Sequence, residues 1–189
     1  MEQQQLLDSM IEHPIIAAVR TDGERELALK SQVRTIFLLA GDIGSLSSQV
    51  REIHAAGKWC FVHLDLIHGL RPDLAGIRFV AEQIGPEGII STRPACIRWA
   101  HQVGLMAIQR IFLLDSTAIQ EGCDSIAKAQ PDLVEVLPGL ADKAVQMAAA
   151  AFKVPLIAGG LIMDKDSIYA ALSAGALAVS SGTVSLWSD

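Results

Sequence analysis

The chain has 189 residues, of which 51% are hydrophobic and 19% are charged, so intrinsic disorder is excluded and the length suits one domain with a sizeable core. Its net charge of −6 argues against a protein that binds nucleic acid through bulk positive charge, but leaves room for a local basic patch. The three cysteines lie far apart without CxxC spacing, which indicates neither a disulfide framework nor a zinc site and fits a reducing compartment.

The sequence predicts a cytoplasmic protein with no membrane partner. Its most apolar run, residues 144–163, is interrupted by Gln146, Lys153 and Pro155, so a membrane span is disfavoured. The first ten residues lack the basic and apolar regions of a signal peptide.

Eight short aliphatic runs of strand length recur along the chain. Most are continuously apolar rather than alternating, which is typical of parallel strands covered on both faces. Their starts are about 18 to 30 residues apart, close to the minimum spacing of a βα repeat. The predicted strands cover residues 15–19, 35–39, 59–62, 88–90, 106–108, 133–136, 155–158 and 177–179.

Segments between these runs carry helix start and stop signals. One predicted helix starts at Pro72 and ends before Gly85, and another starts at Asp164 and ends before Gly175. The predicted helices cover residues 1–12 at the N-terminus and then 45–56, 72–84, 94–103, 116–129, 140–152 and 164–174.

Eight β/α units predict an α/β fold, a small single-domain (β/α)8 TIM barrel over residues 1–189. The alternative is an open doubly wound sheet, but its edges would be the first and last runs, which are apolar, whereas a closed barrel has no edges. In such a barrel the functional residues lie at the carboxyl ends of the strands.

Glycines and serines follow the last two predicted strands. Barrels of this kind often hold a phosphate with the loops after strands seven and eight and a short helix N-terminus, here residues 183–187. Glycines let backbone N–H groups approach the anion closely, and serine hydroxyls add donors. We therefore predict a phosphate site at Gly159, Gly160, Ser180, Ser181 and Gly182; the alternative is that these glycines only form tight turns.

Acidic residues lie at the ends of three other predicted strands. Asp42, Asp65 and Glu135, with His63 nearby, would surround the same mouth. Carboxylates there can accept hydrogen bonds from ligand hydroxyls, act as acid and base, or hold Mg²⁺. The alternative is a structural ring of ion pairs with the arginines at neighbouring strand ends, Arg20, Arg93 and Arg110. His63 has apolar neighbours, so a buried, hydrogen-bonded histidine is an equal alternative for that residue.

Seven motifs together resemble the glycerol uptake operon antiterminator regulatory protein family, and the likeness runs from about residue 13 to the C-terminus. The motifs occur in the same order and span eight to ten residues in several cases, which makes the resemblance specific. They are PIIAAV (14–19), FLLAGDI (37–43), FVHLDLIHGL (61–70), GIIST (88–92), IQRIFLLDS (108–116), PDLVEVLPG (131–139) and PLIAGGLI (155–162).

The resemblance implies a single-domain barrel that binds glycerol 3-phosphate as its effector and needs no cofactor or resident metal. The loaded regulator would act on the leader of a glycerol-operon messenger RNA so that transcription continues past a terminator, through the loops at the mouth or the face of a homodimer. Carried over by motif, Gly159, Gly160, Ser181 and Gly182 would hold the phosphate. The glycerol end would be lined by Asp42, Asp65, Gln109, Arg110 and Glu135.

Two other functions stay open at this point. One is a barrel enzyme, either a metal-dependent phosphodiesterase or an isomerase-like protein, that uses the three carboxylates and His63. The absence of a lysine at any strand end disfavours a Schiff-base aldolase. The other is a module that binds a small phosphorylated molecule and no nucleic acid.

Overall fold

Eight parallel strands close into a barrel, which confirms the predicted (β/α)8 TIM barrel and excludes the open sheet. The structure is a computed structural model that describes residues 2–188, so Met1 and Asp189, although part of the predicted domain, lie outside the described residues. In chain order the strands are β1 (Ile15–Val19), β2 (Thr35–Leu38), β3 (Trp59–His63), β4 (Gly88–Ser91), β5 (Met106–Phe112), β6 (Leu133–Leu137), β7 (Leu156–Gly159) and β8 (Ala178–Ser181).

The barrel closes where β8 pairs with β1. Ile15 lies opposite Val179 and Ala17 lies opposite Ser181 in this parallel pair. A second sheet of only two short strands, Gly41–Asp42 and Ile67–His68, follows β2 and β3. Closure brings the carboxyl ends of all eight strands to one rim, which is where a shared site has to form.

Helices alternate with the strands on the outside of the barrel. None of the helices between residues 2 and 188 is long and apolar enough to span a membrane. Residues Val80–Ile84 continue the fourth helix as a π-helical turn, and Val184–Leu186 form a short 3-10 turn near the C-terminus. The helices are α1 (Glu2–Glu12), α2 (Asp22–Lys30), α3 (Ile43–Ala55), α4 (Leu74–Phe79), α5 (Pro94–Gln102), α6 (Ala118–Ala129), α7 (Asp142–Ala151) and α8 (Lys165–Ser173).

Helix α2 lies in a segment for which no element was predicted. It buries only Ala28, so its hydrophobic pattern is weak. Its start is fixed instead by a capping box, in which the Thr21 hydroxyl accepts the Glu24 N–H and the Glu24 carboxylate accepts the Thr21 N–H. This helix positions the loop that follows β1.

Strand β5 extends further than the predicted residues 106–108. Gln109 and Arg110 interrupt the apolar run in sequence, yet both stay in the sheet, where they pair with Val134 and Glu135 of β6. The polar side chains are tolerated because each meets a polar partner. As a result, the predicted strand end lies inside the strand.

Apolar side chains from alternate strand positions fill the interior of the barrel. Phe37 and Phe61 meet edge to face with ring centroids 5.7 Å apart. Leu6 and Met10 of α1 belong to the same cluster, together with Leu133 and Ala178, the first residues of β6 and β8. Helix α1 therefore closes the amino-terminal end of the barrel, and the rim at the opposite end is left for binding.

Candidate functional site

The loops after β7 and β8 border one cavity of about 230 Å³ at the carboxyl-terminal rim, which we call the mouth cavity. It is lined by Gly160 and Leu161 on one side and by Gly182 and Thr183 on the other. Side chains from four strands complete its wall, namely Arg20 after β1, Arg110 of β5, Glu135 of β6, and Ser180 and Ser181 of β8. The structure thus brings four of the five predicted phosphate residues to one cavity, and the fifth, Gly159, lies next to it at the end of β7.

The loop after β7 has a left-handed backbone at two consecutive residues. Gly160 has φ +78° and Leu161 has φ +61°, and the left-handed region costs a residue with a side chain roughly 1 kcal/mol. The N–H groups of Gly160, Leu161 and Gly182 donate to no backbone or side-chain group within residues 2–188. These amides are available as donors to a ligand in the mouth cavity.

Both predicted serines use their hydroxyls inside the protein. Ser181 Oγ donates to the carbonyl of Ile162 at 2.7 Å and accepts the N–H of Thr183 at 3.0 Å, so it ties the two loops together. Ser180 Oγ donates to Glu135 Oε1 at 2.6 Å. Both hydroxyls thus have acceptors inside the protein, where they shape the cavity, and their contact with a phosphate stays a prediction.

Glu135 is the centre of a buried polar network. Its Oε2 accepts a hydrogen bond from Arg110 Nε at 2.6 Å, while its Oε1 accepts from Ser180 across the intervening strand β7. A Cβ at Gly159 would lie 2.5 Å from Ser180 Oγ and 2.6 Å from Glu135 Oε1, so only glycine leaves room for that second bond. Glu135 is 1% exposed and holds the Arg110 guanidinium in the wall of the mouth cavity.

Arg20 contributes a second cation that was predicted only as an ion-pair partner. Its Nη1 lies 3.1 Å from the position of a Cβ on Gly182, which places the guanidinium against the loop after β8. Among residues 2–188, no carboxylate lies within salt-bridge distance of it. The signal was its position: Arg20 directly follows β1, at the carboxyl end of a strand.

Asp65 lies in a separate polar cluster on the other side of the rim. Its Oδ2 accepts hydrogen bonds from Ser91 Oγ at 2.9 Å and from the Thr92 N–H at 3.1 Å. Arg93 Nε lies 3.0 Å from its Oδ1. The predicted ion-pair alternative is thus observed for Asp65 with Arg93, as it is for Glu135 with Arg110.

His63 is buried at the end of β3. Its Nδ1 lies 3.8 Å from Asp65 Oδ2, too far for a hydrogen bond, and neither ring nitrogen has a hydrogen-bond partner in the described part of the chain. Burial lowers the pKa of His63 to about 4, and the nearby charge of Arg110 adds to the decrease. The expected alternative of a hydrogen-bonded interior histidine is therefore only half met: it is interior but unpaired.

Two residues that were predicted to contact the ligand, Gln109 and Asp42, do not line the mouth cavity. Gln109 is on the helix-facing side of β5 because side chains alternate along a strand, and its Nε2 donates to Ser125 of α6 at 2.5 Å. Asp42 caps α3, and its pKa is lowered by the hydrogen bond from the Ser45 hydroxyl and then by those from the N–H groups of Ser45 and Gly44. It borders a different cavity of about 390 Å³ between the starts of α2 and α3, which we call the α2–α3 cavity.

The carboxylates therefore do not converge on one point. Asp42 caps a helix, Asp65 binds the residues after β4, and Glu135 binds Arg110 and Ser180. No group of three or more histidine, cysteine, aspartate or glutamate side chains in the described residues is arranged to hold a metal ion. What does converge is a set of two guanidinium groups and three unpaired amides, a combination that suits a small phosphorylated ligand.

Comparisons with known proteins agree on one family. A family model described as glycerol-3-phosphate responsive antiterminator matches residues 15–187. A glycerol uptake operon antiterminator regulatory protein from Listeria monocytogenes is 36% identical with a TM-score of 0.88, covering 92% of this chain and 94% of that one. A glycerol uptake operon antiterminator-related protein from Thermotoga maritima is 31% identical with a TM-score of 0.81, covering 92% of this chain and 96% of that one.

Two further proteins are similar to this chain, one in sequence and one in fold alone. The uncharacterized protein YgcP of Escherichia coli is 34% identical over 182 residues, which is 96% of this chain and 95% of that protein. A deoxyribose phosphate aldolase from Aeropyrum pernix covers 98% of this chain with a TM-score of 0.71, but at 17% identity this likeness concerns the fold alone.

Proposed function

The chain belongs to the glycerol-3-phosphate responsive antiterminator family, and from that premise we propose that it binds glycerol 3-phosphate in the mouth cavity and then acts on the leader of a glycerol-operon messenger RNA. The loaded protein would let transcription continue past a terminator in that leader. The observation that supports this proposal best is the meeting of Arg20, Arg110 and the two late glycine loops in one cavity.

The phosphate end of the ligand would lie between the two loops. Backbone N–H groups of Gly160, Leu161 and Gly182 are unpaired donors, and Arg20 supplies a full positive charge without a carboxylate partner in residues 2–188. Charge-assisted hydrogen bonds to an anion are about twice as strong as neutral ones. Gly159 would leave room for the hydrogen bond between Ser180 and Glu135, and the two serine hydroxyls would hold the loops in place rather than contact the phosphate.

The glycerol end would meet Arg110 and Glu135. Each oxygen of the Glu135 carboxylate accepts one hydrogen bond within the protein and keeps a second lone pair for a ligand hydroxyl. The predicted roles of His63 and Asp65 remain part of the proposal as indirect ones. Asp65 lies in the cluster on the other side of the rim, and His63 is near enough to Arg110 for that charge to help lower its pKa. Asp42 and Gln109 do not line the mouth cavity and would not contact the ligand there.

Control of RNA binding would come from the loops that grip the ligand. A ligand shifts an equilibrium between two loop arrangements only by its difference in affinity for them. The loop after β7, which holds Leu161 in a strained conformation, is suited to such a shift because the ligand would stabilise it. We place this activity in the cytoplasm, with no cofactor or resident metal, and treat a homodimer as one way to present both mouths to one RNA.

The test has two steps, and the first measures ligand binding. Thermal unfolding is recorded with a panel of phosphorylated three-carbon compounds; glycerol 3-phosphate at 100 times its Kd should add about 2.7 kcal/mol to the free energy of unfolding. Arg20→Gln should abolish this gain. Lys153→Gln removes one charge before β7, at the opposite end of the barrel, and should keep it.

The second step measures RNA binding. Filter binding of a glycerol-operon leader transcript is recorded against salt concentration, with and without glycerol 3-phosphate. The proposal requires a ligand-dependent gain in affinity and a measurable salt slope. Stabilisation by the ligand without any ligand-dependent RNA binding would leave a small-molecule binding module, and no stabilisation by any member of the panel would refute the ligand site as well.

A further inference from the structure

The α2–α3 cavity is larger than the mouth cavity and has no role in the proposed effector site. It measures about 390 Å³ against about 230 Å³, and cavities above roughly 300 Å³ accommodate ligands considerably larger than a three-carbon phosphate. Its wall combines the loop after β1 and the start of α2 with the loop after β2 and the start of α3. Glycerol 3-phosphate in the mouth cavity would leave this space open.

The lining of this cavity is polar and contains both donors and acceptors. Thr21, Asp42, Ser45, Ser48 and Arg20 all border it. The hydroxyls of Ser45 and Ser48 donate to Asp42 and to the carbonyl of Ser45, so each keeps its capacity to accept a hydrogen bond from a ligand. Arg25 also borders it but is paired with Asp22 and with Glu52, the latter at 3.2 Å. The cavity is therefore close to electrically neutral in a chain with a net charge of −6.

Gln49 supplies an observation of a different kind. Its side chain borders the cavity and is only 8% exposed, yet its amide oxygen has no hydrogen-bond partner in the described residues. Its Nε2 reaches Ser45 Oγ only at 3.4 Å. A buried amide that is left unsatisfied costs stability. A rotation of the Gln49 side chain, which already borders the cavity, would let a ligand there supply the missing partner.

Arg20 connects the two cavities, because it lines both. A guanidinium has five N–H donors in a rigid fork, so it can donate to a phosphate in the mouth cavity and to a second group in the α2–α3 cavity at the same time. Occupation of the mouth cavity would fix the orientation of this shared side chain. Binding in the second cavity would then depend on the effector.

We propose that the α2–α3 cavity holds an unpaired nucleotide of the leader RNA, an inference that rests on the proposed function. Specific RNA recognition uses bases that are splayed out of loops and hydrogen-bonded on their edges, and a glutamine amide offers a donor and an acceptor side by side. Because the chain as a whole is acidic, its affinity for RNA does not come from bulk charge, and a local polar cavity that contains Arg20 can supply specific contacts instead.

Two variants test this site from different sides. Ser48→Trp fills the cavity from an exposed position on α3, and Gln49→Leu removes the amide while preserving its volume. Because the Gln49 oxygen is unpaired, Gln49→Leu should not lower the melting temperature. Ser173→Trp introduces the same side chain at an exposed position at the end of α8 and serves as the matched control.

The measurement is fluorescence anisotropy of a labelled glycerol-operon leader transcript, with glycerol 3-phosphate present throughout. We expect both cavity variants to lose roughly tenfold or more in RNA affinity and to keep the thermal stabilisation by glycerol 3-phosphate, while Ser173→Trp keeps both. RNA affinities of Ser48→Trp and Gln49→Leu within about twofold of the unmodified protein would overturn the nucleotide site and leave the proposed function intact. If the unmodified protein itself shows no ligand-dependent RNA binding, the proposed function fails and this inference fails with it.

Discussion

Gly159 lies between Ser180 and Glu135, and these two side chains can form a hydrogen bond because glycine has no side chain. Replacing it with alanine would place a Cβ 2.5 Å from Ser180 Oγ and 2.6 Å from Glu135 Oε1. Both atoms are ends of side chains and can move aside, and the backbone of Gly159 is not in the left-handed region, so the protein should still fold. The cost is the hydrogen bond between Ser180 and Glu135, which is 2.6 Å long and buried.

The size of the effect follows from that bond. A hydrogen bond to a charged group contributes about 1.5–3 kcal/mol, and the lower chain entropy of alanine in the unfolded state returns about 0.4–1 kcal/mol. Gly159→Ala should therefore lower the free energy of unfolding by about 1–2 kcal/mol. The matched control is Gly23→Ala in α2, where a Cβ meets nothing within 4 Å and helix propensity should add about 1 kcal/mol.

Urea unfolding of the two variants measures this difference. Thermal shift with glycerol 3-phosphate then reports on the site, where a displaced Glu135 no longer fixes Arg110 and the ligand should stabilise Gly159→Ala less than Gly23→Ala. If Gly159→Ala is as stable as Gly23→Ala and responds equally to the ligand, the network across β7 has no role in holding the site.

Three further predictions concern the rim and the floor of the barrel. The folded-state pKa of His63, about 4, is lower than the ordinary value of 6.5, so the unfolded chain takes up the proton first and the free energy of unfolding falls as pH decreases from 6.5 towards 4. Urea unfolding should therefore show a loss of about 2 kcal/mol between pH 7 and pH 5, and this loss should be absent in His63→Gln. Asp65→Asn should change the free energy of unfolding by less than about 1 kcal/mol at pH 7, because its partner Arg93 is exposed to solvent; a larger loss in the same assay would show that the ion pair is structural. Met10→Ala should lower the free energy of unfolding by about 2–5 kcal/mol, because Met10 is fully buried against the barrel interior. Ile11→Ala should lower it by less than about 0.5 kcal/mol, because Ile11 is exposed. Equal melting temperatures of the two variants would show that α1 does not pack as described.

The barrel was predictable because each strand contains a continuous apolar run that is visible in the sequence. Continuous runs such as those of β2 and β7 are apolar on both faces, and only a parallel sheet covered by helices buries such strands completely. The failure at α2 has the opposite cause: a helix that buries one alanine has almost no periodicity, and its capping box at Thr21 and Glu24 was the remaining signal. Strand β5 was predicted too short because the polar partners of Gln109 and Arg110 come from α6 and β6, which local sequence does not reveal.

The location of the candidate site at the carboxyl-terminal rim could be predicted from the sequence, but the contacts of its side chains could not. Chain order alone places residues after β7 and β8 beside each other once the barrel closes, and the glycine loops do border one cavity. The side of a strand on which a residue lies depends on the register, so Gln109 and Arg110 could not be told apart until the sheet was known. Arg20 was visible in the sequence, but its lack of a carboxylate partner is a property of the tertiary structure.

Helix α1 makes the two ends of this molecule unequal in a practical way. Leu6 and Met10 close one end of the barrel, so helix α1 lies on the side facing away from the rim. A protein immobilised through an exposed residue of α1 would turn both cavities towards the solution, whereas coupling through the rim arginines would mask them. Surface-based assays of effector and transcript binding can therefore be oriented by choice of attachment point.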